Sequence, residues 1–206
     1  MKKYLWFAFF VLVYSNPIVY AREDAVSVVG YSGIWGDWGK WQYCPKGSFA
    51  AGYAMKVEAH RDGRFDDSAV NGIKLYCVNK ATGKRVGVIT SRVGPWGSWR
   101  EGASCQGKTV LYATAMSFEP HKKDSDDTAT NSVRFKCTDG KTIQAFGSMP
   151  WGRWSQYQTC PNKKIVGLKF RTAICGIQTR IEAKQGKGDD TALNGANYAC
   201  CVYKQY

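Results

Sequence analysis

The motif Trp-Gly-x-Trp occurs three times, as Trp35-Gly36-Asp37-Trp38, Trp96-Gly97-Ser98-Trp99 and Trp151-Gly152-Arg153-Trp154. Six residues after each second Trp stands a cysteine: Cys44, Cys105 and Cys160. A second motif, Asp-Asp-Ser/Thr-Ala-x-Asn, follows at Asp66–Asn71, Asp126–Asn131 and Asp189–Asn194. Six residues beyond each Asn is another cysteine: Cys77, Cys137 and Cys200. Two motifs and two cysteines kept in one order and spacing define an internal repeat, with units near 25–85, 86–141 and 142–206. The chain is therefore one domain assembled from three copies of a unit too small to stand alone.

Each unit reads as β-structure. Val26/Val28, Val86/Val88 and Ile143/Ala145 begin short strands before the Trp motif. Phe49, Ala51, Tyr53, Met55 and Val57 alternate with small or polar residues, as do Val110, Tyr112, Thr114, Met116 and Phe118, the period-2 pattern of a half-buried strand. In the third unit Leu168 and Phe170 take this place after a one-residue gap. Strands with Ile73/Leu75, Val133/Phe135 and Ala196/Tyr198 precede the last cysteine of each unit. About four strands per unit gives about twelve strands in three sheets, an all-β assembly whose closure hides the strand edges.

The N-terminus is a separate matter. Lys2 and Lys3 precede an apolar run over residues 4–14, Asn16-Pro17 breaks it, and Val19-Tyr20-Ala21 ends on a small residue. This is the pattern of a secretory signal peptide, cleaved after Ala21 to leave residues 22–206 as a single domain. The run is shorter than the ~20 residues a spanning helix needs, so no stable membrane anchor is expected. In an oxidising compartment the eight cysteines read as disulfides. The repeat selects Cys44–Cys77, Cys105–Cys137 and Cys160–Cys200, leaving Cys175 for Cys201. Cys200 and Cys201 are adjacent and point to opposite faces of a strand, so exchange of the last two partners stays open. No Asn-x-Ser/Thr sequon occurs.

The formal charge of +13 suggests acidic partners, and secretion removes nucleic acid from that class. Loss of Lys2 and Lys3 leaves 27 basic and 16 acidic side chains, a net +11. The loops 58–71, 119–131 and 182–194 hold 11 acidic and 6 basic residues, a net −5, so the rest of the mature chain carries +16. Rotational symmetry puts the three loops at one end of the domain. A basic body with an acidic end is expected, the strand before each loop ending in Glu58, Glu119 or Glu182.

These motifs resemble the vitelline membrane outer layer protein 1 family, over essentially the whole mature chain. The resemblance rests on the triple Trp-Gly-x-Trp, on Asp-Asp-Thr-Ala-Leu-Asn-Gly at 189–195 and on Asn71-Gly72-Ile73-Lys74-Leu75-Tyr76-Cys77. It implies a β-prism of three Greek-key antiparallel sheets around a pseudo-threefold axis. It also implies a secreted, extracellular protein of the egg-coat kind, and an attributed transferase activity on N-acetylglucosamine oligosaccharides with no catalytic residues to carry over. The middle unit departs, with Ser132 where the others have Gly, and Arg100-Glu101 after Trp99.

Three functions compete: a structural coat protein binding glycoproteins or glycans, anionic ones included; a lectin-like module; and a glycosyl-transferring enzyme. The lectin reading uses Asp66, Asp67, Asn71, Asp126, Asp127, Asn131, Asp189, Asp190 and Asn194 to bind sugar hydroxyls. The competing account of the same residues is local bonding in repeated tight turns, and it is preferred. The enzymatic reading would use Glu58, Glu119 or Glu182 as the acid beside a second carboxylate, and it ranks last. The motif Trp residues are expected to pack at the prism corners, their indole N–H groups bonded to backbone, with Trp41 the exposed ring. His60 and His121 share a loop position and suggest no triad. No metal or cofactor is expected: Cys-x-x-Cys and EF-hand spacings are both absent. Oligomeric state is not legible.

Overall fold

A computed structural model describes residues 22–58, 69–118, 130–147, 152–183 and 193–205. In chain order the strands are β1 (Ala25–Ser32), β2 (Asp37–Trp38), β3 (Gln42–Tyr43), β4 (Ser48–Val57), β5 (Val70–Asn79), β6 (Arg85–Thr90), β7 (Ser98–Trp99) and β8 (Ala103–Ser104). They continue as β9 (Leu111–Phe118), β10 (Thr130–Cys137), β11 (Thr142–Gln144), β12 (Arg153–Trp154), β13 (Gln158–Thr159), β14 (Lys163–Ile165), β15 (Leu168–Ile181) and β16 (Leu193–Gln205). No helix forms among the described residues.

The strands make three antiparallel sheets. In the first, β6-β5-β4 is closed by β7 and β8; in the second, β11-β10-β9 is closed by β12 and β13; in the third, β1-β16-β15 is closed by β2 and β3, with β14 also on β15. The first two are Greek keys, because the fourth strand crosses back to lie beside the first, and the third has the same spatial order with its closing strands taken from the start of the chain. The expected twelve strands reappear when the two-residue pieces of each closing edge are counted as one broken strand. β14 is then left over, without a counterpart.

Sheet and repeat do not coincide, contrary to the reading of one sheet per unit. β4 and β5 of the first unit are completed by β6, β7 and β8 of the second; β9 and β10 of the second by β11, β12 and β13 of the third. The N-terminal β1, β2 and β3 complete the last sheet and so close the ring. Three backbone bonds fix the equivalence: Cys44 N to Cys175 O (2.8 Å), Cys105 N to Ala51 O (2.7 Å) and Cys160 N to Tyr112 O (2.8 Å). They also correct the third alternating strand. The counterparts of Phe49 and Val110 are Ala173, not Leu168 or Phe170; Leu168 is exposed and pairs with β14.

The disulfides are Cys44–Cys77, Cys105–Cys137, Cys160–Cys200 and Cys175–Cys201, with Cα separations of 5.6, 5.8, 5.7 and 5.8 Å. Because sheets straddle units, each of the first three crosses a seam between sheets, while Cys175–Cys201 joins β15 to β16 within one. Bridges closing 26 to 40 residues each stabilise by about 3–4 kcal/mol through the unfolded chain.

The core lies on the axis. Tyr53, Phe135 and Tyr198, one from each sheet, are fully buried and pack edge-to-face at 4.7 and 5.2 Å. The Tyr53 hydroxyl donates to Val133 O and accepts from Ala145 N (2.7 Å), tying the first sheet to the second. Burial pushes both phenols well above their ordinary 10.0. A bulge between Ala50 and Gly52 splits the alternating pattern of β4. Ala50, Tyr53, Met55 and Val57 enter the axial core, whereas Phe49 and Ala51 join a second cluster with Val110, Ala173, Cys175, Ala199 and Cys201.

Candidate functional site

The Trp-Gly turns are seated by the glycines. Gly36, Gly97 and Gly152 have φ of +79°, +73° and +85°, a conformation that side chains oppose. A Cβ on Gly36 would lie 2.5 Å from Glu182 N, and one on Gly97 would lie 2.3 Å from Val57 C. On Gly152 it would lie 2.9 Å from Phe118 C. Each turn thus packs on the last residues of β15, β4 or β9, where the strand leads into Glu182, Glu58 or Glu119. The three Trp-Gly turns therefore sit at the one end of the prism where β4, β9 and β15 finish.

The candidate residues fall out unevenly at that end. Glu58 is buried (7% exposed), its N–H bonded to Ala69 O (3.0 Å); Glu182 is half-buried. Asn71 is buried and accepts at both oxygens, from Gly94 N at its carbonyl (2.6 Å) and from Trp96 N at Oδ1 (3.2 Å). The Asn194 carbonyl accepts from Gly33 N (2.6 Å). Asn71 and Asn194 therefore hold the chain just before a Trp turn, a structural use. Asn131 is buried, and its Nδ2 has no hydrogen-bond partner among the described residues. Thr130 Oγ1 donates to Leu193 O (2.8 Å), so the bases of the second and third loops meet across a sheet seam. Asp66, Asp67, Asp126, Asp127, Asp189, Asp190, Glu119, His60 and His121 lie outside the described residues. Among those described, no group of three His, Cys, Asp or Glu side chains could hold a metal.

The tryptophans correct the expectation of packed corners. Trp35 and Trp99 are exposed (48% and 37%), and Trp38, Trp96 and Trp154 are half-buried. The glycine takes the close contact with the strand end, which leaves the Trp35 and Trp99 rings exposed on the sheets. There each second Trp meets a cation from its own sheet: Lys74 over Trp99 (4.4 Å), Arg134 over Trp154 (4.1 Å) and Arg180 over Trp38 (6.0 Å). Trp41, expected to be exposed, is half-buried, stacked on Tyr43 at 5.7 Å and packed on the second cluster. Exposed Trp35 and Trp99 are flat apolar surfaces of the kind that sugar rings stack on.

A cavity of 430 Å³ opens at the opposite end, between the second and third sheets, lined by Tyr112, Thr138, Thr159, Asn162 and Arg171 among others. Its visible signal in the sequence is the spacing between cysteine and strand. Four residues separate Cys44 from Phe49 and Cys105 from Val110, but twelve separate Cys160 from Ala173.

Three twisted Greek-key sheets around an axial core define a β-prism. The artocarpin–mannopentose complex shares this fold, with a TM-score of 0.54 at 11% identity, covering 88% of this chain and all of that one. The Vitelline membrane outer layer protein I (VOMI) family model matches residues 26–203, and the chain belongs to that family. The Vitelline membrane outer layer protein 1 homolog of Mus musculus is 37% identical over 182 residues, covering 88% of this chain and 85% of that protein. The Homo sapiens homolog is 39% identical over 180 residues, covering 86% and 83%.

Proposed function

We propose that the protein is secreted after cleavage behind Ala21 and serves as a disulfide-stabilised component of an extracellular coat, binding glycoproteins or glycans there. The observation that carries this reading is the family match over 26–203, supported by four disulfides that suit an oxidising compartment. Arg22 would then be the first mature residue. Its guanidinium forks the Asp24 carboxylate (2.8 and 2.6 Å) and lies 5.1 Å over Phe49, so the new N-terminus is latched to the body. The test is retention of the secreted protein on extracellular matrix at rising salt, with its N-terminus read by mass spectrometry. Salt-sensitive retention of a chain beginning at Arg22 is expected. No retention, or retention indifferent to salt, contradicts the charge argument.

A lectin-like use of the Trp-Gly end is favoured by the exposure of Trp35 and Trp99. A glycan array comparing the wild type with Trp35→Ala, Asp67→Ala, Asp127→Ala and Asp190→Ala tests it. Weakened binding in these variants is expected; unchanged binding removes that end from the account. No specific observation favours the enzymatic reading.

A further inference from the structure

A feature built three times is explained by the fold, which needs it three times; a feature built once is not. The segment 162–171 is present once. Two residues in its place would restore the short connection that the other units already use. In those units Ser48 N bonds Pro45 O (2.9 Å) and Thr109 Oγ1 bonds Gln106 O (2.7 Å). In the third, Thr172 Oγ1 bonds Pro161 O (2.7 Å), so the same closure is kept and a hairpin of β14 and β15 is inserted between the two residues it joins.

The insertion makes three local choices that work against its own stability. Lys164 stands opposite Lys169 on the neighbouring strand, and like charges in that register repel. The turn is Val166-Gly167 with φ of +48° and +78°, a turn that wants Asn-Gly rather than a β-branched residue, and Val166 is 97% exposed. Residues 162–171 contain Lys163, Lys164, Lys169 and Arg171 and no acid. Arg171 lines the 430 Å³ cavity together with Tyr112, Thr138, Thr159 and Asn162, all of them polar residues. Local rules broken together at one place mark function more often than accident.

We propose that this cavity and hairpin form a binding site for an anionic glycan. Arg171 holds a carboxylate or sulfate through its fork of N–H donors, the hydroxyl and amide groups bond the ring hydroxyls, and the hairpin lysines follow the anionic chain outward. Bound anion would relieve the Lys164–Lys169 pair. The inference rests on the glycan-binding reading above but places a second site at the end away from the Trp turns.

Calorimetric titration with a heparin hexasaccharide tests it, with chitohexaose as neutral control and phosphatidylserine vesicles as the lipid alternative. The expected result is binding that falls steeply with salt, is lost at least tenfold in Arg171→Ala, and falls further in Lys163→Ala with Lys164→Ala. Arg171→Lys keeps the charge without the fork and should lie between. Val166→Asn should bind as the wild type does, and unchanged melting temperatures will show that the variants are folded. Equal affinity of Arg171→Ala and wild type overturns the site while leaving glycan binding elsewhere intact. Binding to vesicles but not to hexasaccharide, abolished by Val166→Asn, overturns it in favour of a lipid surface. Wild-type protein that binds no glycan of either kind removes the broader reading as well.

Discussion

The two ends of this prism are built on opposite terms. At the Trp-Gly end the threefold pattern is kept closely: a positive-φ glycine on each strand end and a Trp over a cation on each sheet. At the other end symmetry is broken by one basic hairpin that strains its own register. The difference teaches how to separate scaffold from recognition in a repeat protein. Repetition identifies what the architecture requires, and departure from repetition identifies where to look for a partner.

The largest effect expected of breaking the scaffold comes from a seam disulfide. Cys105→Ala with Cys137→Ala should lower stability by about 3–4 kcal/mol in a denaturant titration, because the bridge closes 32 residues of unfolded chain across two sheets. A loss below about 1 kcal/mol would mean that the seam holds without its bridge. Next comes a contrast between glycines. Gly97→Ala combines an opposed φ with a Cβ 2.3 Å from backbone and should cost about 3 kcal/mol. Gly167→Ala has the same backbone need but nothing within 4 Å, and should cost about 1–2 kcal/mol. Equal costs would erase the distinction between a packed turn and a free one.

A smaller effect concerns the axis that both ends share. Tyr53→Phe leaves Val133 O and Ala145 N without their shared partner and should cost about 1–3 kcal/mol at neutral pH. The wild type should also lose stability at high pH. The folded phenols of Tyr53 and Tyr198 sit above their ordinary 10.0, so their contribution is complete below pH 10 and is lost as pH rises beyond it, where the unfolded chain ionises first. Tyr53→Phe with Tyr198→Phe should flatten that alkaline limb, as measured by denaturation midpoints across pH.

The motif spacings made the strands, the three sheets and the symmetric disulfide set legible, because each follows from periodicity or from equivalence under rotation. They did not reveal that every sheet borrows its closing strands from the next unit. Spacing orders residues along the chain, whereas pairing of β1, β2 and β3 with β15 and β16 is a contact between the chain's two ends. The exposure of Trp35 and Trp99 is hidden from the sequence for a related reason. A Gly beside two Trp signals close packing, but the glycine backbone itself makes the contact. The third strand was misaligned because Leu168 and Phe170 continue an apolar alternation that belongs to the inserted hairpin. The twelve residues between Cys160 and Ala173, against four in the other units, are the sign of that insertion in the sequence. Of the candidate site, Glu58, Glu182 and the three Asn residues could be located; the paired Asp residues fall outside the described chain.

The central claim, that the threefold part is scaffold and the single hairpin is recognition, is tested most directly by excision. Replacing residues 162–171 with Lys-Gly restores the connection found between Pro45 and Ser48. Stability and anionic-glycan affinity are then measured on the same preparation. The account predicts a melting temperature equal to or above that of the wild type, four intact disulfides and loss of heparin-hexasaccharide binding. A shortened protein that fails to fold, or that folds and binds as before, would contradict it.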